Sequence, residues 1–327
     1  CTEHEGGVCT AVLEITYRCN MECAVCFADA TKGKFEPTID EIRHMYETAY
    51  LNGGYCSIQL SGGEPTMRSD LPDIIALGKS LGFPHIQVNT NGLKLAGQDG
   101  YAQTLKDAGA DLIYLQFDGC SDGIYQKIRK RKLLDIKIQA LENCRQAGLG
   151  VLLVPTIIPG ININCVGEII AFAKRNMPTV RGVHFQPVSY FGRYPGDVPK
   201  DDQRASLADV MHALEEQTAG EIQIKDLVPR KRYAAHCAFS GLFFLTEEGI
   251  LKAITREEQN ALLCGKTDFA GRSNKFTNLY WRGSSMEQGN RQNAMARFRA
   301  RLRDYTLAVS GMGFQDAWNI DIGRLRG

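Results

Sequence analysis

Six short apolar runs, each followed by a segment with helical periodicity, repeat through the first 190 residues of the chain. The runs cover residues 11–16, 56–60, 85–89, 111–117, 151–157 and 181–188. Strands that alternate with amphipathic helices form parallel sheets with right-handed crossovers, because helices cover the faces of the sheet. The pattern therefore predicts an α/β fold in which six βα units form a partial (β/α)6 TIM-like barrel. In such a barrel the active site lies at the carboxyl ends of the strands.

Several of the predicted helices have clear end signals. Thr38 and Glu41 have the spacing of a capping box, and Gly53 follows as a stop signal. Asp70 is predicted to cap the next helix. Further helices are predicted over residues 103–108, 134–147 and 166–176. These helices supply the crossovers that a parallel sheet requires.

The alternating pattern ends after residue 190, where a polar connector with two prolines begins. A helix is predicted over residues 204–218, a β-hairpin over 241–255 with its turn at 247–249, and a basic helix over roughly 291–309. The chain is therefore divided into three regions. They are an N-terminal cysteine-containing flank (1–10), the barrel (11–190) and a mixed α+β C-terminal extension (191–327).

The composition argues against several classes of function. The 327 residues include 38 basic and 37 acidic side chains, a net charge of +1, so no nucleic-acid partner is expected. No apolar run reaches the length of a transmembrane helix. Eleven cysteines, several of them clustered, favour metal binding in a reducing compartment over a disulfide framework. We therefore expect a cytoplasmic protein.

Three of the cysteines follow the first predicted strand directly. Cys19, Cys23 and Cys26 form a C-x3-C-x2-C motif. Structural zinc usually has four protein ligands, and catalytic zinc usually prefers histidine. A [4Fe–4S] cluster has four irons, so three thiolates leave one iron open to an outside ligand. The motif favours such a cluster, with a zinc site or a simple electron-transfer site as the alternative.

This motif, with Phe27 directly after it, resembles the signature of the radical S-adenosylmethionine (SAM) superfamily. The segment "LSGGEPT" at residues 60–66 resembles the glycine-rich loop of the same superfamily. The resemblance covers residues 10–190. It implies that the three cysteines hold a [4Fe–4S] cluster whose open iron chelates SAM. It further implies that an electron from the cluster cleaves SAM to give a 5′-deoxyadenosyl radical.

The resemblance also implies which residues contact SAM. The glycine-rich loop contacts its methionine end, and a side chain at Gly63 is expected to weaken SAM binding without unloading the cluster. Polar strand ends contact the ribose and carboxylate, and an isoleucine packs on adenine. The implied SAM-binding residues are Phe27, Gly62, Gly63, Glu64, Pro65, Asn89, Asn91, Gln116, Asp118, Ile157, Ile158 and Gln186.

The flanks resemble one branch of the superfamily. Cys1 and Cys9 precede the first strand, and the segments at 236–256 and 313–327 follow the barrel. Together they resemble the enzymes grouped with archaeal tetraether-lipid synthase and their shorter bacterial relatives, some of which contain selenocysteine. That branch forms carbon–carbon bonds at unactivated carbons or methylates them, and its fuller members hold further metal sites. Candidate ligands of an additional iron–sulfur cluster are Cys1, Cys9 and Cys237, followed by His236 and Cys264.

The sequence thus predicts an enzyme that abstracts hydrogen from an unactivated C–H position, for C–C bond formation or methylation. A small electron donor of the flavodoxin or ferredoxin type is expected, with a small molecule, lipid or peptide as substrate. Two alternatives stay open: a radical SAM maturase of a peptide or cofactor, and a non-catalytic iron–sulfur electron carrier. The glycine-rich loop argues against the carrier, because a carrier needs no nucleotide pocket.

Overall fold

The computed structural model describes residues 10–30, 36–196, 199–229, 238–254, 301–302, 304–314, 316 and 318. The strands are β1 (Thr10–Thr16), β2 (Ser57–Gly62), β3 (Ile86–Thr90), β4 (Leu112–Gln116), β5 (Gly150–Val154), β6 (Thr156–Ile157), β7 (Val180–Pro187), β8 (Val228–Pro229), β9 (Ala238–Leu245), β10 (Leu251–Ala253) and β11 (Thr306–Met312). The helices are α1 (Ile39–Gly53), α2 (Leu71–Ser80), α3 (Leu93–Gly97), α4 (Tyr101–Asp107), α5 (Asp122–Arg129), α6 (Leu134–Ala147), α7 (Val166–Arg175) and α8 (Leu207–Gln217).

The strands form one mixed sheet with the order β1-β2-β3-β4-β5-β7-β11-β9-β10, with β6 beside β7 and β8 beside β9. All pairings from β1 to β7 are parallel, as is the pairing of β7 with β11. Strand β9 runs antiparallel to β11 and to β10. Within the described residues β1 and β10 form the two edges and do not pair, so the barrel is open. The predicted α/β fold with a partial barrel is confirmed.

The two faces of the sheet have different surroundings. In β2, Ile58 and Leu60 are fully buried in the main core together with Tyr46 of α1. Alternate residues of a strand point to opposite faces, so Gln59 and Ser61 face away from these helices, into the barrel. The inner face is therefore partly polar, whereas the outer face is covered by helices.

The capping box of α1 is confirmed, because Thr38 and Glu41 bind each other's backbone N–H groups. The prediction that the Asp70 side chain caps α2 is wrong. Asp70 stands at the N-cap position of α2, but its side chain makes no cap hydrogen bond. Its carboxylate instead accepts hydrogen bonds from Arg68 Nε and Nη2 at 2.8 and 2.6 Å. A bidentate, charge-assisted pair of this kind is stronger than a neutral cap.

The prediction of a basic helix over residues 291–309 is wrong at its C-terminal end. Residues 301, 302 and 304 are helical, but Thr306–Met312 forms β11, and residues 291–300 lie outside the described chain. Leu307 and Val309 are fully buried between β7 and β9. Pairing with both neighbouring strands and burial of its apolar side chains favour the strand conformation for this run, even though basic residues precede it.

The remaining elements of the extension agree with expectation. Helix α8 begins after a capping box of Ser206 and Asp209, and β9 and β10 form the predicted hairpin. Strands β9 and β11 continue the sheet of the barrel, while the region boundaries at residues 10 and 190 stay predictions. Across the described ranges, no helix is both long enough and apolar enough to cross a membrane.

Candidate active site

The cysteine motif lies in the loop that follows β1, residues 17–30, here called the cysteine loop. Cys19, Cys23 and Cys26 are partly buried and form no disulfide. Because β1, β2 and β3 are parallel, this loop shares an edge of the sheet with the segments that follow β2 and β3. The structure therefore brings the cysteines to the carboxyl ends of the strands, where such barrels place their chemistry.

Backbone contacts bind the start of the cysteine loop to the glycine-rich segment. The N–H of Gly63 donates to the carbonyl of Thr16, and that of Glu64 to the carbonyl of Arg18, both at 2.8 Å. A Cβ at Gly62 would lie 2.1 Å from Thr16 O, and one at Gly63 would lie 2.2 Å from Arg18 O. A side chain at Gly63 would therefore displace the cysteine loop, contrary to the expectation that the cluster would be spared.

The carboxylate of Glu64 joins the ends of β2 and β3. It is 1% exposed, and one of its oxygens accepts hydrogen bonds from the Thr66 and Thr90 hydroxyls at 2.6 and 2.7 Å. The other accepts from the N–H of Asn91 at 2.7 Å. Pro65 is buried at the start of the short 3₁₀ turn that follows. Glu64 thus fixes the shape of the glycine-rich loop, and its contact with SAM stays a prediction.

A buried ion pair supports the second half of the cysteine loop. Arg129 at the end of α5 binds Asp118 through two hydrogen bonds of 2.7 and 2.8 Å. It also donates to the carbonyl of Val25 at 3.2 Å and to Thr156 Oγ1 at 3.0 Å. Asp118 is fully buried, so the observed contacts assign it to holding Arg129. The predicted SAM contact of Asp118 stays a prediction, and sequence reasoning missed Arg129.

A second arginine reaches the cysteine loop from just beyond the barrel. Arg193 and Cys26 exchange backbone hydrogen bonds at 2.8 and 2.9 Å, and Arg193 Nε donates to the carbonyl of Cys23 at 2.9 Å. The preceding Gly192 has φ +69°, and a Cβ there would lie 2.4 Å from Cys26 O. The segment that follows β7 therefore contacts the backbone of both Cys23 and Cys26.

Phe27 belongs to an aromatic cluster rather than standing alone beside the cysteines. Its ring centroid lies 4.7 Å from that of Phe191 and 6.3 Å from that of Phe314, which follows β11. The cluster packs the loop against the C-terminal extension. The predicted contact of Phe27 with SAM stays a prediction.

The strand ends place two predicted asparagines near the cysteine loop. Asn89 Nδ2 donates to Ser61 Oγ at 3.1 Å, while its Oδ1 is buried without a hydrogen-bond partner in the described chain. Asn91 donates to Oδ1 of Asn20, inside the cysteine loop, at 2.7 Å. Asn91 thus links the end of β3 to the loop, and Asn89 retains an oxygen for a ligand.

A fully buried lysine, which sequence reasoning missed, joins two strand ends. Lys137 of α6 donates from Nζ to the carbonyl of Asn91 at 2.5 Å and to Gln116 Oε1 at 3.2 Å. Burial lowers the pKa of Lys137 to about 8. The predicted cofactor residue Gln116 is therefore held by Lys137.

The three remaining predicted SAM contacts lie on the β5–β7 side of the barrel. Ile157 is fully buried in the main core, while Ile158 is half-buried and packs with Val25 of the cysteine loop. Gln186 is half-buried on β7, and its backbone N–H donates to Pro155. Of the two isoleucines, Ile158 is the one beside the loop. The roles of all three stay predictions.

The chemistry of the donor set fits an iron–sulfur cluster. Burial raises the pKa of Cys19 to about 11, and charges on Glu64, Cys23 and Cys26 act in the same direction. Bound iron reverses this effect, because it binds the thiolate form. Among the described residues, no three Asp, Glu, His or Cys side chains converge on a position for a single ion. In a [4Fe–4S] cluster each thiolate would bind a different iron, so the three cysteines need not converge on one point.

The candidate ligands of an additional cluster, Cys1, Cys9 and Cys237, lie outside the described residues, as do His236 and Cys264. The additional cluster therefore stays a prediction.

The family model of the radical SAM superfamily matches residues 13–173, from β1 into α7. The chain therefore belongs to the radical SAM superfamily. Its members use a [4Fe–4S] cluster and SAM, and the matched residues include the cysteine loop and the glycine-rich loop.

Among individual proteins, the chain is 40% identical over 280 residues to the 7,8-dihydro-6-hydroxymethylpterin dimethyltransferase of Methanocaldococcus jannaschii, covering 78% of this chain and 55% of that protein. It is 28% identical over 213 residues to a GTP 3′,8-cyclase of Erythrobacter litoralis, covering 62% and 60%. The chain thus spans little more than half the length of these relatives. Streptococcus suis SuiB bound to SAM has a TM-score of 0.52 at 15% identity, over 66% of this chain and 49% of that chain, a likeness of fold alone.

Proposed function

We propose that this chain is a radical SAM methyltransferase that attaches a methyl group to an unactivated carbon of a small molecule. The observation that carries the proposal is the 40% identity over 280 residues with the M. jannaschii dimethyltransferase. That alignment is longer than the superfamily match at residues 13–173. The likeness is therefore not limited to the segment that the superfamily shares.

The cysteine loop carries the first task in this proposal. Cys19, Cys23 and Cys26 hold the cluster, which when bound supplies the electron that cleaves SAM. Gly62 and Gly63 let the backbone approach the methionine end of SAM closely.

Three buried side chains keep this site in shape. Glu64 bonds from the end of β2 to the end of β3, and Arg129 donates to a carbonyl of the cysteine loop. Lys137 joins the ends of β3 and β4. Each of them acts through other residues, as positioning groups do.

We take the acceptor to be a reduced pterin, 6-hydroxymethyl-7,8-dihydropterin, the class in the name of the M. jannaschii relative. A flavodoxin or ferredoxin in the cytoplasm supplies the electron. An additional cluster on Cys1, Cys9 and Cys237 remains part of the proposal.

Anaerobic reconstitution followed by product analysis tests this function. The protein is incubated with SAM, a reductant, a tetrahydrofolate-type one-carbon carrier and 6-hydroxymethyl-7,8-dihydropterin, and the mixture is analysed by mass spectrometry. We expect 5′-deoxyadenosine together with a pterin heavier by one or more CH₂ units. SAM labelled with deuterium on its methyl group shows whether SAM or a one-carbon carrier is the methyl source. Deoxyadenosine without a heavier pterin would reject the acceptor, and no deoxyadenosine from cluster-loaded protein would reject the enzyme.

A further inference from the structure

A pair of glutamines lies on the inner face of the sheet, below the glycine-rich loop. Gln59 of β2 and Gln87 of β3 are register partners, and Gln87 Nε2 donates to Gln59 Oε1 at 2.9 Å. We call them the glutamine pair. Gln87 is only 1% exposed, and within the described chain its Oε1 is buried without a hydrogen-bond partner.

Unpartnered polar atoms are concentrated on this face. Asn89 Oδ1 and Ser57 Oγ, which share the inner face with the glutamine pair, are also buried without partners in the described chain. Leaving a buried polar atom unpaired costs about 1–3 kcal/mol, and native proteins seldom do so. Asn89 Oδ1 belongs to the predicted SAM contacts, so Gln87 Oε1 and Ser57 Oγ are the two atoms that indicate a second ligand with hydrogen-bonding groups of its own.

The space beside the glutamine pair is open on the β1 side. Val12 is the register partner of Gln59 and shares its face, yet Val12 is 57% exposed. The inner face is therefore open beside Gln59, which is half-buried, and a ligand that enters there reaches Gln87 by displacing the Gln59 amide.

Apolar side chains adjoin the glutamine pair on the β4 side, with Leu112 fully buried and Tyr114 half-buried. Leu112 is the register partner of Gln87, and Tyr114 is that of Asn89. Leu112 and Tyr114 pack with Leu152 in a small cluster on the same face. Polar amides next to apolar side chains suit a flat ring that is apolar on its faces and polar along its edge.

We propose that the glutamine pair binds the pyrimidine edge of the acceptor. A carboxamide and the amino edge of a pterin carry donors and acceptors in one plane, so Gln87 Oε1 accepts from the 2-amino group while the ring lies against Tyr114. This inference rests on the proposed function, which supplies the reduced pterin. Asn89, between the glutamine pair and the cysteine loop, is left to SAM.

Equilibrium binding of 6-hydroxymethyl-7,8-dihydropterin to the reconstituted protein tests the inference. We expect Gln87→Leu to raise the Kd at least tenfold, and to affect SAM cleavage measured without pterin much less. The matched control is Gln103→Leu, an exposed glutamine on α4 whose side chain, among the described residues, bonds to Asp107 of its own helix. We expect this control to bind pterin like the parent chain.

A ligand-side measurement serves if the leucine variant does not fold. Replacing the pterin 2-amino group by an oxo group places an acceptor against Gln87 Oε1, so this lumazine analogue should bind the parent protein at least tenfold more weakly. The inference would be overturned if Gln87→Leu changed the Kd for the pterin by less than twofold, or if the parent protein bound the pterin and the lumazine with equal affinity. Neither result would reject the proposed function. Absence of any pterin binding to the parent chain would instead reject the acceptor in the proposed function, and this inference with it.

Discussion

The two halves of the cysteine loop are held by different kinds of contact. At its start, backbone N–H groups of Gly63 and Glu64 bind backbone carbonyls, with no space for an added Cβ. At its end, Arg129 and Arg193 donate to the carbonyls of Val25 and Cys23. The first half is therefore sensitive to volume, whereas the second is sensitive to charge in addition to volume at Gly192. The two arginines of the second half differ in burial, because Arg129 is buried against Asp118 whereas the Arg193 side chain is 28% exposed.

The largest effect is expected from the buried charge. Arg129→Met leaves the Asp118 carboxylate buried without its counter-charge, so we expect the free energy of unfolding to fall by about 3–5 kcal/mol. Urea denaturation measures the loss, and the iron bound after reconstitution should fall with it. The double variant Asp118→Asn/Arg129→Met should recover much of the stability. A single-variant loss below about 1 kcal/mol would show that Arg129 is not the main support.

The sensitivity of the first half to volume is tested at Gly63. Gly63→Ala places a Cβ 2.2 Å from Arg18 O, so we expect a loss of about 1–3 kcal/mol together with weaker binding of both cluster and SAM. Gly97→Ala on α3 is the matched control, since no atom of the described residues lies within 4 Å of its Cβ position. If Gly63→Ala bound the cluster fully and lost only SAM affinity, the two loops would be independent after all.

A pH experiment isolates the buried lysine that joins the neighbouring strand ends. Burial lowers the pKa of Lys137 from 10.5 to about 8, so between these values the unfolded chain binds more protons and stability rises with pH. The cost of burying the ammonium is fully present below about pH 8. In cluster-free protein we expect the parent chain to gain about 3 kcal/mol relative to Lys137→Met across this window. A constant difference between the two proteins would mean that Lys137 titrates normally.

The smallest effect is expected at the more exposed arginine. Arg193→Ala removes the hydrogen bond to the Cys23 carbonyl, and we expect a cost of about 1 kcal/mol and faster loss of iron to a chelator. Arg145→Ala is the control, because the partner of Arg145 within the described chain is Glu142 on the exposed face of α6. Equal rates of iron loss in the two variants would place the whole charge-dependent support on Arg129.

The βα repeat could be predicted because its signals are local. Helix α6 occupies Leu134–Ala147, the predicted bounds, and the capping box of Thr38 and Glu41 is present. Strand β11 could not be predicted in this way. Its partners β7 and β9 lie far away in sequence, and a run of basic residues directly before it resembles a helix.

The buried cations that support the site could not be predicted from the sequence for a related reason. Arg129 and Lys137 stand in the stretch "IRKRKLLDIK" (128–137), where Lys130, Arg131 and Lys132 are exposed. Nothing local separates the buried cations from the exposed ones, since their burial depends on partners such as Asp118 and Asn91. The cysteine and glycine motifs were visible because their spacing alone carries the chemistry.

The most direct test of the central claim compares two cysteine variants after anaerobic reconstitution. Cys23→Ala removes a ligand from the cysteine loop, whereas Cys165→Ala removes a cysteine at the start of α7, outside the loop. We expect Cys165→Ala to hold a [4Fe–4S] cluster of about four irons and to form 5′-deoxyadenosine from SAM like the parent chain. Cys23→Ala should lose that cluster and the product together. Formation of 5′-deoxyadenosine by Cys23→Ala at the parent rate would contradict the assignment of Cys19, Cys23 and Cys26 as the cluster ligands.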